Sequence, residues 1–332
     1  MSEPFRLWRA LRPLMLLIAL SAPLSPAAAE TYPLRIEHAF GTTVLPAKPA
    51  RIATVNWANH EVPLALGVVP VGFARANFGD DDGDGLLPWV KARLEALGAP
   101  TPVLFDEGDG IDFEAVAATQ PDVILAAYSG LSAQDYEMLS RIAPVIAYPQ
   151  APWATGWREM IALNSAGMGM APQGQALIDD LEGQIAAARA AHPEFAGKTA
   201  MFVTHLSPLD LSRIRFYTDN DSRVQFLHDL GFASPAVVTE ASSAGVFSGE
   251  ISAERIDALA DVDVLVTYGG RPLRDKITTD LLVARLPAIR RGALVMLDND
   301  PLGTAANPTP LSLPYVLEAY AGRLADAAGA GR

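Results

Sequence analysis

The sequence predicts an α/β protein made of two lobes with mostly parallel sheets, joined by one long backbone helix. Three observations lead there. Short apolar, β-branched runs alternate with helical patterns, the rhythm of βα units and a mostly parallel sheet. A strand-free stretch, residues 153–168, interrupts that rhythm once near the middle of the chain. A twenty-residue segment recurs on either side of it.

The elements follow in order. Residues 51–55 read as a strand, and Asn59 as the N-cap of a helix that stops at Gly67. Strands at 68–73, 103–105, 122–126 and 145–148 then alternate with helices at 88–97, 112–119 and 136–142. In the second half, strands are expected at 199–205, 214–218, 237–240, 262–267 and 294–297. Helices are expected at 222–230, 253–260, 279–286 and 312–327, with another at 173–191 behind the strand-free stretch. This divides the chain into a signal segment at 1–29, a first lobe at 30–151, a connecting helix at 152–170 and a second lobe at 171–332. Both lobes read as Rossmann-like.

The repeat sharpens the picture. Residues 111–130 read IDFEAVAATQPDVILAAYSG and residues 251–270 read ISAERIDALADVDVLVTYGG. Six of the twenty aligned positions are identical, including Glu114/Glu254, Tyr128/Tyr268 and Gly130/Gly270, where composition alone gives about one or two. Each copy is a helix, a buried strand, then a tyrosine and a glycine at the strand's carboxyl end. Ligands of open α/β sheets collect outside those ends, so two of them facing each other make a site between lobes.

Composition bounds the setting. Arg6, Arg9 and Arg12 precede a short apolar core at 14–20, and Ala27-Ala28-Ala29 offers a small-residue exit, the layout of a cleaved signal peptide. The apolar run is well short of the ~20 residues a spanning helix needs. Residues 1–29 hold three arginines and one glutamate, so cleavage after Ala29 takes the formal net charge from −13 to −15. That acidity argues against nucleic acid and anionic membranes as partners. The chain has no cysteine, which leaves no disulfide and no thiol for lipid attachment, and a freely diffusing periplasmic monomer is the expectation.

Other chemistries find little support. No Gly-x-Ser-x-Gly elbow and no His-Glu-x-x-His helix occur. The five histidines, His38, His60, His192, His205 and His228, lack metal-ligand spacing. Asp80, Asp82, Asp84 and Gly85 match the start of an EF-hand loop, but Lys91 stands where the bidentate glutamate belongs. A mobile acidic loop is the better reading.

Residues 49–74 (PARIATVNWANHEVPLALGVVPVGFA), 112–126 (DFEAVAATQPDVILA), 136–146 (YEMLSRIAPVI) and 251–265 (ISAERIDALADVDVL) together resemble the helical-backbone substrate-binding proteins of ABC importers. Within that class the chain is most similar to ferric-siderophore binders of the hydroxamate type. The resemblance implies two lobes bridged by one helix at about 153–168. It also implies a siderophore in the cleft, iron held wholly by that chelator with no cofactor of the protein's own, and an inner-membrane ABC permease as partner. Glu114 and Glu254 occupy the positions that dock onto the permease. The cleft candidates are Trp57, Arg75, Tyr128, Arg213, Arg215, Tyr217, Phe247, Tyr268 and Arg271, aromatic surfaces and guanidinium forks being what a bulky, oxygen-rich chelate needs. One departure stands out: hydroxamate binders carry a basic residue where this chain has the acidic loop Asp106-Glu107-Gly108-Asp109-Gly110. Either Arg75 takes its place or the ligand carries positive charge. Cobalamin or haem carriers on the same scaffold, and an exported α/β hydrolase, are the alternatives.

Overall fold

The computed structural model describes residues 31–204, 206–243 and 245–330; the expected signal segment lies outside them. The chain opens with an antiparallel hairpin, β1 (Leu34–His38) and β2 (Gly41–Leu45). Ile36, His38, Thr43 and Leu45 are its buried positions, the period-two burial of strands with one wet face.

The first lobe follows as β3 (Ile52–Thr54), α1 (Glu61–Ala65), β4 (Gly72–Ala74), α2 (Pro88–Ala96), β5 (Val103–Phe105), α3 (Phe113–Ala118), β6 (Val123–Ala126), α4 (Ala133–Ser140) and β7 (Val145–Ala147). Its five strands are parallel, in the order β5-β4-β3-β6-β7. Strands β6 and β7 are buried at every position, as parallel strands covered on both faces must be. The order runs outward in both directions from β3, so the carboxyl end of β3 lies at a topological switch point, where such sheets bind ligands. Asp112 caps α3 through Ala115 N, and Ser132 with Asp135 forms a capping box on α4.

Two helices then lead to the second lobe, α5 (Trp157–Gly167) and α6 (Ala171–Ala191). Here the structure corrects the expectation of a single bridge at 152–170. Helix α5 has 11 residues and lies on the first sheet; a Cβ on Gly167 would come within 2.7 Å of Ile146 and 2.9 Å of Leu125. The long element is α6, 21 residues or roughly 30 Å. Trp153 has φ +61° and stays outside the helix.

The second lobe comprises β8 (Ala200–Val203), β9 (Arg213–Tyr217), α7 (Ser222–Leu230), α8 (Ala236–Ser242), β10 (Ser248–Ser252), a 3-10 segment (Ala253–Leu259), β11 (Val264–Tyr268), α9 (Arg271–Thr279), a 3-10 turn (Val283–Arg285), α10 (Pro287–Arg291), β12 (Leu294–Leu297), α11 (Pro301–Ala305) and α12 (Ser312–Gly329). Its sheet runs β10-β9-β8-β11-β12, with β8, β11 and β12 parallel and β9 and β10 forming an antiparallel edge. The strand expected at 237–240 is helix α8. Pro235 sits extended at its N-cap and Val238 turns into the core, so packing overrides the strand preference of Val237, Val238 and Thr239. The edge strand is β10 instead. The helix expected at 279–286 lies earlier, as α9, with Pro272 in its first turn.

The lobes are joined a second time. Leu302, Ala305 and Val316 pack into the first lobe beside Leu64, Trp89 and Leu94. Fully buried Glu61 of α1 accepts from Trp89 Nε1 at 2.8 Å, from Leu311 N at 3.2 Å and from the Thr309 hydroxyl. The returning chain therefore clamps onto the first lobe, a second connection besides the α5–α6 link. Among the described residues no helix is long and apolar enough to cross a membrane.

Candidate functional site

The carboxyl ends of β3, β4, β5 and β6 meet those of β9 and β11 across a cleft. Two chambers open from it, of about 500 and 330 Å³, and they share Trp57, Asn77 and Trp153 as a common wall. Among the described residues, three of the four non-glycine residues with positive φ border this wall: Asn56 (59°), Ala58 (62°) and Trp153 (61°). Such backbone strain persists only where surrounding structure enforces it, and it gathers at functional sites.

The smaller chamber is aromatic. Seven of the twelve residues lining it are Trp57, Phe78, Tyr128, Trp153, Tyr217, Phe247 and Tyr268. Both tyrosines of the sequence repeat, Tyr128 and Tyr268, arrive in this one chamber from opposite lobes. Tyr128 stands edge-on to Trp153 at 5.4 Å, and its hydroxyl accepts from Asn307 Nδ2 at 3.1 Å. Burial pushes the Tyr128 phenol up to about 12 and raises Tyr217 and Tyr268 as well, so all three stay neutral at physiological pH. Trp153 owes its position to Gly130: a Cβ there would meet the indole at 2.3 Å.

Arg223, in the first turn of α7, supplies the chamber's cation. Its Nη1 donates to Asp221 Oδ2 at 2.9 Å and Oδ1 at 3.1 Å, and its Nε donates to the Tyr268 hydroxyl at 3.0 Å. The guanidinium carbon lies 4.3 Å from the centre of the Tyr217 ring, a cation–π contact. Burial, the largest single influence, works against its charge, but Asp221 together with Tyr268, Tyr128 and Tyr217 outweighs it and holds the guanidinium well above its ordinary value. Nη2 makes no hydrogen bond to a described residue, and Arg223 lines the chamber. A ligand with carbonyl, hydroxamate or carboxylate oxygens would meet a preset donor there.

The larger chamber is more polar. Glu107, half-buried, accepts from Asn56 N at 3.0 and 3.2 Å and from Asn56 Nδ2 at 3.1 Å. The same Asn56 accepts from Gly130 N through Oδ1 at 3.0 Å, so one residue ties the acidic loop to the Trp153 corner. Burial raises the Glu107 carboxyl above its ordinary value, more than the Asn56 bonds lower it. Asp106 and Arg75 complete the charged wall. His60, stacked on Phe73 at 4.3 Å, is pulled down to about 3 by burial and is neutral.

Of the expected site residues, Trp57, Tyr128, Tyr217, Phe247 and Tyr268 line the aromatic chamber, and Arg75 lines the polar one. Three expectations are corrected. Arg213 and Arg215 share the outward face of β9, with side chains 70% and 69% exposed, and both pair with Glu250 on β10. They line neither chamber, because a cross-strand carboxylate on an exposed edge takes both guanidinia. Arg271 begins α9 on the surface and also lines neither. Glu114 and Glu254 are exposed in the first turns of α3 and of the Ala253–Leu259 segment, at equivalent places in the two lobes. Sequence reasoning missed Arg223, Trp153, Phe78 and Asn307. The carboxylates of Asp80, Asp82 and Asp84 do cluster, and the Lys91 ammonium sits on two of them, at 2.7 Å from Asp82 and 2.6 Å from Asp84. The cation of this loop is its own lysine.

Two α/β lobes fixed by two connections, with a preformed cleft at their strand ends, define a bilobal solute-binding protein. The chain belongs to the periplasmic binding protein family, which matches residues 52–301. It is 41% identical to Streptococcus pneumoniae PiaA, solved in complex with ferrichrome, with a TM-score of 0.85 over 89% of this chain and 98% of that one. It is 26% identical to YfiY of Bacillus subtilis, described as a probable siderophore-binding lipoprotein, over 70% of this chain and 67% of YfiY. Staphylococcus aureus SirA, solved with staphyloferrin B, shares the fold at a TM-score of 0.66 and 20% identity, covering 86% of this chain and 97% of that one.

Proposed function

We propose that this protein binds a ferric siderophore of the hydroxamate class in the cleft and delivers it to the inner-membrane permease of an ABC importer. The observation that carries this reading is the aromatic chamber with Arg223 fixed at its wall and Nη2 left to donate. Ferric hydroxamates are bulky, largely apolar outside and studded with iron-bound oxygens, which suits rings and one fixed donor. The likeness to ferrichrome-bound PiaA over 89% of the chain favours the same class. Iron enters as part of the cargo, and the protein has no catalytic role. The mature protein is a monomer that diffuses freely in the periplasm after cleavage behind Ala29. Glu114 and Glu254 present one carboxylate per lobe to basic residues of the permease. Intrinsic tryptophan quenching tests the reading, since Trp57 and Trp153 stand in the wall. Ferric ferrichrome should quench at far lower concentration than iron-free ferrichrome or bare ferric ion. Tight binding of the bare ion with no response to the chelate would refute it.

A further inference from the structure

The geometry points to a second subsite: the larger chamber takes a protonated amine arm of the chelator, so the preferred ligand is an amine-bearing ferric hydroxamate rather than a neutral one. This rests on the hydroxamate reading above and adds the ligand's charge.

The two chambers differ in what they offer. On the Arg223 side the charges cancel, Asp221 against Arg223, and what remains is a donor, Nη2. On the other side stand two carboxylates, Asp106 and Glu107, against one guanidinium, Arg75. Carboxylates only accept, and an ammonium only donates. Among the described residues Glu107 has no ion pair; its partner is the neutral amide of Asn56, which fixes the carboxylate's position without cancelling its charge. A half-buried carboxylate held in place and left without a counter-ion is stabilised by an arriving cation.

The rest of the wall does not oppose a cation. His60 lines the chamber as a neutral ring, its Nδ1 shielded from the open space, so it adds no positive charge. The chamber holds about 500 Å³ and opens onto the aromatic chamber at Trp57 and Trp153. One ligand can therefore rest its iron-bound oxygens near Arg223 and extend an arm towards Glu107.

The test uses the mature full chain and three probes: ferrioxamine B, which ends in a primary amine, its N-acetyl derivative, and ferrichrome. Tryptophan quenching gives the affinity of each. The wild-type protein should bind ferrioxamine B about ten-fold more tightly than the acetylated form, the scale of a charge-assisted hydrogen bond. Glu107→Gln should bring that ratio close to one, and Asp106→Asn, on the exposed side of the same loop, should lower it less. Equal wild-type affinity for the amine and acetylated forms, or a ratio that survives Glu107→Gln in a folded variant, overturns the subsite. Failure of all three probes to bind overturns the hydroxamate reading and this inference with it.

Discussion

Arg223 and Asp221 form a buried ion pair at 2.9 Å, two residues apart across the start of α7, and Asp221 thereby holds the guanidinium over the Tyr217 ring. Asp221 also caps the helix by accepting from Arg223 N at 2.8 Å, so one carboxylate both starts the helix and aims the cation.

Replacing Arg223 tests that arrangement. Arg223→Ala should weaken binding of a ferric hydroxamate by about 1.5–3 kcal/mol, the range for hydrogen bonds to charged groups, measured by quenching titration. Arg223→Lys should rescue little, because an ammonium cannot hold Asp221 and Tyr268 and still present a fixed donor. Asp221→Ala should lower stability by about 3–5 kcal/mol, since it leaves a buried guanidinium unpaired. Affinity unchanged in Arg223→Ala would remove the residue from the site.

Gly130→Ala should disturb the cleft from behind. The added methyl would lie 2.3 Å from the Trp153 indole, and the ring must move. Because Trp153 separates the two chambers and braces Tyr128, ligand affinity should fall with only a small change in melting temperature. An unaltered titration curve and an unaltered tryptophan emission maximum would show that the ring has room to give way.

How much of this was legible varied with the physics involved. Tyr128 and Tyr268 could be found because the repeat marks strand ends, and strand ends make clefts. Helix 222–230 was legible from its cap and its terminal glycine. Arg223 was not, because in sequence it is one more polar residue in a helix's first turn, and its role comes from burial against β9 and β11. Trp153 was absorbed into a helical pattern that its left-handed backbone breaks. Arg213 and Arg215 show the opposite failure: alternation placed them correctly on one face with Tyr217, but could not reveal that Glu250 pairs opposite them. The hairpin at 34–45 alternates plainly enough to have been read as strands.

Glu61 gives a pH signature. Burial pushes its carboxyl from an ordinary 4.5 up to about 7, despite the donors from Trp89, Thr309 and Leu311. The folded state thus keeps a proton that the unfolded state releases between those values, and this group's contribution to stability falls as pH rises from about 4.5 to about 7. Denaturant midpoints across that range should decline for wild type relative to Glu61→Gln, which cannot titrate. Parallel pH profiles for the two proteins would show that Glu61 keeps its charge throughout.

Docking separates from binding through Glu114 and Glu254. Both are exposed at helix starts, where negative charge is favoured. The double change Glu114→Ala with Glu254→Ala should leave ligand titration intact and cut siderophore-dependent uptake in cells carrying the cognate permease. Charge reversal at both should cut it further by adding repulsion. Normal uptake by the double alanine variant would return both residues to ordinary helix-start glutamates.

The most direct test of the whole account is a crystal structure of the mature protein grown with ferric ferrichrome. The account predicts the chelate between Trp57 and Trp153 on one side and Tyr217 and Phe247 on the other, with an iron-bound oxygen within hydrogen-bond reach of Arg223 Nη2 and no side chain ligating iron. Ferrichrome bound outside the cleft, or iron ligated directly by protein carboxylates, would contradict it.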